Sequence, residues 1–349
     1  MPIHAKRYRY IDYFKAISIV LVILGHINYA NSSIVAWIYS FHMPAFFFAS
    51  GLVLKDNVKN GLSERSSCVF TIWKKFEGII IPYFIWALFY AELSISNILK
   101  ILYGSQKMLS SSGTLTSLWF LTALFLAIVY FELAKLLFRK NFKLPVKCCL
   151  LVITSFVAAL LPSLDCGYPW NLDVSFSAFG FLLLGNILSP VLTTLHDKLD
   201  GLSRSRSIPI CIGTAILSFF GLMLYRINLQ ADGGAVIMAK GIYGKYYLFL
   251  ITAMLGGLFL LSISFLFDLI IPKMDRDILS FIGQNTFCIF VVHKPLISVL
   301  FAKLFSVLSL PASLELIISC IGVLTISCIL SLFINHYLPF LAGKSPSKQ

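Results

Sequence analysis

Long apolar runs with few charges recur along the whole chain, and they restrict its fold more than any other feature. Segments such as 16–25 and 248–261 are apolar on nearly every side, and several runs reach about 18–20 residues, the helix length that crosses ~30 Å of hydrocarbon. Only 12% of the residues are charged, whereas a soluble domain carries about 25%. The strands of a transmembrane β-barrel would instead alternate apolar and polar residues. The sequence therefore predicts an all-α, polytopic membrane helical bundle.

The apolar runs predict about ten transmembrane helices in a single domain over residues 1–349. The predicted spans are 11–30, 34–54, 78–95, 117–137, 147–162, 173–192, 208–226, 246–268, 278–301 and 314–340. With the N-terminus inside, roughly three quarters of the 28 Lys and Arg residues fall in cytoplasmic segments, as the positive-inside rule requires. Both termini are therefore expected in the cytoplasm. No small-residue cleavage site follows the first span, so we expect it to remain in the mature protein.

Charge and cysteine content exclude several classes of function. The net charge of +13 follows from the cytoplasmic loops, so it does not indicate nucleic-acid binding. The eight cysteines form no Cys-x-x-Cys or Cys/His spacing, and we expect small buried hydrophobic residues rather than disulfides or metal ligands. The longest loops have about 20 residues, too few to fold alone. Any chemistry must therefore come from polar groups in the spans and short loops.

The first predicted span contains three ionisable residues, Asp12, Lys15 and His26. An ionisable side chain near the bilayer centre costs about 2.5–3.5 kcal/mol, so such residues usually face a cavity and serve a function. Lys15 and His26 are eleven residues apart, which places them on one helix face about 16 Å apart along the axis. Asp12 can pair with Lys15. The alternatives are that Asp12 and Lys15 extend to the cytoplasmic interface and that His26 caps the span.

The second predicted span contains His42 two residues before Pro44. Proline has no N–H to donate to the carbonyl of Ser40, so we expect a kink that leaves a polar pocket beside the imidazole. The alternative is a kinked packing helix whose histidine is only structural.

The ninth predicted span contains Asn285, Thr286 and His293. Thr286 and His293 are seven residues apart and share a helix face. Asn285 is a candidate for acceptor binding or orientation, although an asparagine in a span more often joins two helices.

The three histidines all lie in the outer half of their spans. Asp173 opens the sixth span from the same side, where it can orient an imidazole, hold a sugar hydroxyl or cap the helix. At the cytoplasmic end, Lys74 and Lys75 either form a cationic binding site together with Lys15 or act only as topology signals.

These groups leave two classes of function open. Three histidines without nearby Cys or carboxylate spacing give little reason for zinc, and we predict no metal site. The sequence has no nucleotide-binding loop and no Gly-x-Ser-x-Gly motif. The remaining candidates are a membrane enzyme that uses an imidazole base and a secondary transporter that uses histidines as proton relays.

The segment from Ile11 to His26 resembles the first helix of the acyltransferase-3 family of integral membrane acyltransferases. In that family the first helix contains a basic residue, then ten other residues, then a catalytic histidine. By position, the basic residue matches Lys15 and the catalytic histidine matches His26. Many members have Arg where this chain has Lys15. The resemblance is narrower to fucose-acetylase-like and surface-polysaccharide O-acetyltransferase members. It continues in order through Phe41-His-Met-Pro-Ala-Phe-Phe-Phe-Ala-Ser-Gly51, Ile81-Pro-Tyr83, Leu118-Trp-Phe-Leu121, Ile282-Gly-Gln-Asn-Thr-Phe287 and His293.

The resemblance implies an acyl-CoA donor, usually acetyl-CoA, with no permanently bound cofactor. It implies a carbohydrate acceptor on a surface or lipid-linked glycan, membrane lipid as the surroundings, and a bacterial inner membrane as the location. A homo-oligomer is compatible with all of this, and no nucleic acid is expected.

Together, the residues and the resemblance predict an O-acyltransferase with His26 as general base. Direct transfer and relay through an acyl-histidine both fit. The predicted donor-binding residues are Lys15, Lys74 and Lys75, and the predicted acceptor-binding or orienting residues are His42, Asp173, Asn285 and His293. The alternative function is a secondary transporter or flippase-like permease, although the inverted repeats of many transporters are absent from the sequence.

Overall fold

A computed structural model describes residues 7–27, 32–56, 61–91, 94–232, 235–272, 274, 277–308 and 310–344. In these ranges the chain forms helices and turns, with one antiparallel bridge between Ile237 and Ile242 and no strand. The all-α prediction is therefore confirmed. The charge pattern predicts a cytoplasmic location for both termini, and the last residues of both termini lie outside the described residues.

The helices follow one another with short connections. The α-helices are α1 (Arg9–His26), α2 (Ser32–Tyr39), α3 (His42–Leu52), α4 (Glu64–Lys75), α5 (Ile81–Tyr90), α6 (Ile95–Tyr103), α7 (Gln106–Leu109), α8 (Trp119–Phe138), α9 (Leu144–Leu160), α10 (Leu172–Gly201), α11 (Arg204–Leu222), α12 (Tyr225–Asp232), α13 (Tyr246–Ile270), α14 (Ile278–Gln284), α15 (Thr286–Pro295), α16 (Ala302–Val307) and α17 (Ala312–Tyr337). Two π-helical segments, Phe76–Ile80 and Leu296–Phe301, continue these helices, and 3₁₀ turns occupy Ser110–Leu118, Arg139–Asn141, Pro169–Asn171, Met238–Lys240 and Pro339–Ala342.

Seven described helical stretches are long and apolar enough to cross a membrane. They are Ser33–Leu52, Gly113–Asn141, Pro169–Gly201, Arg204–Leu229, Tyr246–Ile270, Thr286–Val307 and Ala312–Tyr337. Each coincides with a predicted span, which confirms a polytopic helical bundle. The other three predicted spans are helical as well, but α1 contains three charged residues, α5 is short, and α9 has 17 residues. The total of ten spans therefore stays a prediction.

Helix α1 is enclosed by the rest of the bundle. It packs against α3, α13, α14, α15 and α17, and its aromatic residues Tyr10, Tyr13 and Phe14 are completely buried. Because protein rather than lipid surrounds it, this helix tolerates the ionisable residues that a lipid-facing span would exclude.

Ion pairs fix the N-terminal end of α1. Arg7 lies 2.6 Å from Asp12, and Arg9 Nε lies 2.7 Å from Asp268 Oδ1 of α13. The other oxygen of Asp268 is 2.7 Å from His196 Nε2 of α10. One buried carboxylate thus joins three helices, so the position of α1 in the bundle is set at this end.

Helices α3 and α10 are in backbone contact. A Cβ atom added to Gly51 would overlap the carbonyl oxygen of Leu182, and one added to Gly185 would overlap that of Phe48. Small residues at a helix interface allow this close approach in membrane proteins. The contact holds α3, and therefore His42, at a fixed place in the bundle.

The kink predicted in the second span is present as a break between α2 and α3. The helix stops at Tyr39, Phe41 takes φ −147° and ψ −20°, and helical geometry resumes at His42. Pro44 then lies in the first turn of α3, where its missing N–H leaves no intrahelical bond unmade. The break turns His42 into the first residue of a helix.

The cysteines only partly follow the expectation that they are buried. All eight carry free thiols. Cys68, Cys211 and Cys288 are buried, and two more are half-buried, but Cys148, Cys149 and Cys166 are exposed. The expectation was wrong for these three, because the first two lie on the surface of α9 and the third lies in the loop before α10.

Candidate active site

Three histidines from three separate helices meet at one end of the bundle. His26 is the last residue of α1, His42 the first of α3, and His293 lies in α15. The ring centroids of His26 and His293 are 5.1 Å apart. The ring of Tyr39 lies 5.1 Å from that of His42 and 6.3 Å from that of His26. The sequence placed these histidines at similar depth, and the structure brings them together.

Each of the three imidazoles is held by a carbonyl of its own chain segment. Nδ1 lies 2.8 Å from Val22 O in His26, 2.8 Å from Ile38 O in His42, and 2.5 Å from Phe290 O in His293. A carbonyl oxygen only accepts, so Nδ1 carries the proton and donates. In the neutral imidazole, Nε2 then keeps its lone pair and can act as a base.

His26 and His42 line a cavity of about 270 Å³, here called the histidine cavity. Its other lining groups include aromatic rings, polar side chains and ammonium groups: Tyr39 and Trp119, Gln106 and Thr116, and Lys240 and Lys294. His293 does not line the cavity, because it is 0% exposed and lies behind His26. The cavity therefore combines a base with groups that can hold a polar ligand.

Asn171 organises the wall that carries Gln106. Its amide oxygen accepts a hydrogen bond from Gln106 N at 2.8 Å, and its amide nitrogen donates to Gly104 O at 2.9 Å and to Thr122 Oγ1 at 3.0 Å. Within the described part of the chain, the buried side-chain oxygen of Gln106 has no hydrogen-bond partner. Because Gln106 lines the histidine cavity, its side chain is a candidate hydrogen-bond acceptor for a ligand.

A second cavity of about 210 Å³ lies around Lys15 and is here called the lysine cavity. Ser50 and Thr286 contribute hydroxyl groups to its wall. The predicted ion pair of Lys15 is present, with Nζ 3.3 Å from Asp12 Oδ1, and the Lys15 side chain remains 27% exposed. Because Asp12 also pairs with Arg7, one carboxylate is shared between two cations, so this region keeps an excess of positive charge.

Phenylalanine rings separate the lysine cavity from the histidines. Phe46, Phe120 and Phe290 line the lysine cavity. The ring centroid of Phe120 lies 5.9 Å from that of Phe46 and 5.1 Å from that of Phe290. The ring of Phe290 in turn lies 5.5 Å from that of His293. A molecule that extends from Lys15 to His26 has to pass this aromatic layer.

Four other predicted site residues line neither cavity. Lys74 is half-exposed and lies 2.8 Å from Glu77, and its neighbour Lys75 also lies on α4. Asn285 joins two helices, since it accepts a hydrogen bond from Asn335 of α17 at 2.6 Å.

Asp173, the fourth, lies in the first turn of α10. Its Oδ2 would lie 3.2 Å from a Cβ atom added to Gly241, so it borders the loop that carries Lys240. The residue at the N-cap of this helix is Asn171, not Asp173.

A further cavity, a groove of about 1040 Å³, lies on another side of α15. It is lined by apolar residues of α5, α15, α16 and α17, with Lys303 as the charged residue among them. The described lining of this groove includes no histidine and no carboxylate, whereas two imidazoles line the histidine cavity. Within the described ranges, no three His, Cys, Asp or Glu side chains form a group that could hold a metal ion.

Sequence reasoning missed Gln106, Lys240 and Lys294. In the sequence, the two lysines cannot be distinguished from other basic residues outside the cytoplasm, and Gln106 lies in a polar loop without a motif. Nothing in the local sequence indicates that Asn171, 65 positions away, holds Gln106 in place. The adjacency of Lys294 to His293 was the one available signal.

The deciding observation for identity is a family match over nearly the whole chain. Residues 8–332 match the acyltransferase domain of the acyltransferase-3 family. The chain belongs to this family. It is therefore a membrane acyltransferase, and the matched region contains Lys15, His26, both cavities and most of α17. No curated protein matches the chain.

Proposed function

We propose that this acyltransferase-3 member is an O-acyltransferase that moves an acetyl or other acyl group from acyl-CoA to a carbohydrate hydroxyl of a surface or lipid-linked glycan. One observation carries the proposal. His26 is held through Nδ1 by Val22 O and lines a cavity with polar and aromatic groups suited to a sugar.

His26 is the general base of the proposed reaction. A sugar hydroxyl is a poor nucleophile, and Nε2 of a neutral imidazole takes its proton as the oxygen attacks the thioester carbonyl, typically worth about 10²–10⁴-fold. A C–O bond forms and the C–S bond breaks. The leaving sulfur takes the proton from the imidazolium, so the products are the sugar ester and the CoA thiol.

His293 acts as a positioning residue behind the base. Among the described residues, its buried Nε2 has no hydrogen-bond partner, and its ring lies 5.1 Å from that of His26. When His26 becomes an imidazolium, this lone pair is the nearest imidazole acceptor for the new positive charge. Removal of His293 is therefore expected to slow the chemical step.

The acyl donor is proposed to bind from the lysine cavity. CoA carries several phosphates, and Lys15 offers a point charge to one of them. The pantetheine arm then passes the ring layer of Phe46, Phe120 and Phe290 to reach His26. The separation of about 16 Å along α1 suits a long, thin donor. We propose Lys74 and Lys75 only as outer contacts of the CoA phosphates.

The positive-inside rule supports a cytoplasmic lysine cavity and both termini in the cytoplasm. We propose a bacterial inner membrane as the location because the family resemblance implies it. Under this orientation the histidine cavity lies toward the opposite side of the membrane, where surface glycans are assembled. Asp173 and His42 are proposed to orient the acceptor there, and Asn285 supports the helix that carries His293.

Acetyl-CoA labelled in the acetyl group and added to membranes tests this function. The label should enter glycan when the membranes contain the intact chain and should stay out when they do not. Movement of glycan or solute across the membrane without incorporation of label would instead support the transporter alternative.

A further inference from the structure

Two ammonium groups face the histidine cavity from different elements. Lys294 follows His293 in α15, and Lys240 ends the short turn Met238–Lys240. The described lining residues of the cavity include no carboxylate. Both lysines are half-buried, and among the described residues the ammonium group of neither lysine has an ion-pair or hydrogen-bond partner, although their backbone groups are hydrogen-bonded.

An ammonium group that is removed from water without a counter-ion is costly, and membrane proteins normally pair it. Three other lysines among the described residues follow that rule. Lys147 lies 2.6 Å from Asp56, Lys135 lies 3.1 Å from Glu132, and Lys15 lies 3.3 Å from Asp12. The lysines of the histidine cavity depart from this pattern, which indicates that a bound molecule supplies the negative charge.

Two further groups in the cavity wall, Gln106 and Trp119, indicate which other chemical groups the bound molecule carries. The unpartnered oxygen of Gln106 is buried and can accept a hydrogen bond from a ligand hydroxyl. Trp119 adds a flat apolar face. The ligand that satisfies all of these groups carries hydroxyls, an apolar ring face and an anionic group.

We infer that the acceptor is an anionic carbohydrate, whose carboxylate or phosphate is bound by Lys294 and Lys240 while its reacting hydroxyl lies at His26 Nε2. This inference rests on the proposed function and names its acceptor class. The phosphates of the donor do not explain the two lysines, because they bind near Lys15, about 16 Å away along α1.

The test uses the purified full-length protein in lipid nanodiscs with acetyl-CoA and matched acceptor pairs. One pair is a uronic-acid oligosaccharide and its carboxyl-reduced form, and the other is a phosphorylated oligosaccharide and its dephosphorylated form. We expect kcat/KM at least tenfold higher for the anionic member of one pair, mainly through KM. The pair that responds identifies the anion as carboxylate or phosphate.

Variants connect this selectivity to the two lysines. Lys294→Met and Lys240→Met should each raise KM for the anionic acceptor about tenfold and lower the ratio of anionic to neutral kcat/KM by the same factor. Lys294→Arg should keep most of the selectivity, because the charge remains. Lys303→Met in the apolar groove is the control and should not alter the ratio. The thermal unfolding temperature of each variant is measured, and its kinetic constants are compared with those of the unmodified chain only where the two temperatures agree.

Equal kcat/KM for the two members of both pairs would overturn the inference and leave the proposed function intact. The inference would also be overturned if Lys294→Met lowered kcat equally for charged and neutral acceptors, since Lys294 would then act on the reacting carbonyl. Failure of the protein to transfer acetyl groups to either member of any pair would instead contradict the proposed function itself.

Discussion

Substitution of Lys15 tests whether the donor is bound as proposed. If its ammonium holds a CoA phosphate, Lys15→Met should raise KM for acetyl-CoA about tenfold or more, because an interaction with a charged group is lost. Lys15→Arg should keep much of the activity. Lys198→Met, which changes an exposed lysine at the end of α10, is the control. Initial rates at varied acetyl-CoA measure the effect.

An unchanged KM for acetyl-CoA in Lys15→Met, at equal protein level, would remove Lys15 from the donor site. The residue would then serve only the ion pair with Asp12, and the variant would show its effect in protein abundance.

His293 and His42 should differ in their kinetic effects because one is behind the base and the other lines the cavity. His293→Ala is expected to lower kcat about tenfold with little change in KM for the acceptor. His42→Ala is expected mainly to raise that KM. If His293→Ala abolished transfer while His26→Ala retained it, the base would be His293.

At the residue scale, the histidines could be predicted from the sequence because ionisable groups are conspicuous in apolar runs. It did not identify Lys294 as a cavity residue, because a lysine near the end of a span is indistinguishable from a topology signal. The position of Gln106 depends on hydrogen bonds of Asn171 with residues far away in sequence. Such contacts leave no periodic pattern.

At the element scale, the contact between α3 and α10 predicts a specific weak point. Gly185→Ala should destabilise the protein by about 1–3 kcal/mol, because the added methyl group overlaps the carbonyl oxygen of Phe48. Gly213→Ala in α11 is the matched control, since no atom beyond the helix's own nearby backbone and the two chain neighbours lies within 4 Å of the added methyl group. It should be neutral or stabilising by up to about 1 kcal/mol. Thermal unfolding in detergent compares the two.

A loss of stability in Gly213→Ala as large as in Gly185→Ala would contradict the proposed backbone contact.

The apolar runs placed the helices well, and Pro44 explained the break before α3. The break at Asn285 between α14 and α15 has no proline beside it. One π-helical segment contains Gly78 and the other directly follows Pro295, but a single glycine or proline in an apolar run does not by itself predict a π-helix.

At the scale of the whole molecule, orientation is the property that charge alone predicts. A reporter active only outside the cytoplasm should be silent when fused after Gln349, and active when fused after Lys245 in the loop before α13. Activity after Gln349 together with silence after Lys245 would invert the proposed sides of the two cavities. The donor would then have to enter from the histidine cavity.

The central claim is that His26 is the base of an acyl transfer, and transfer of label from acetyl-CoA to glycan in membranes tests it most directly. His26→Ala should lower the initial rate by about 10²-fold or more at normal abundance. His336→Ala, which changes an exposed histidine in the last turn of α17, should leave the rate within twofold of the unmodified chain. Near-full transfer by His26→Ala would contradict the account.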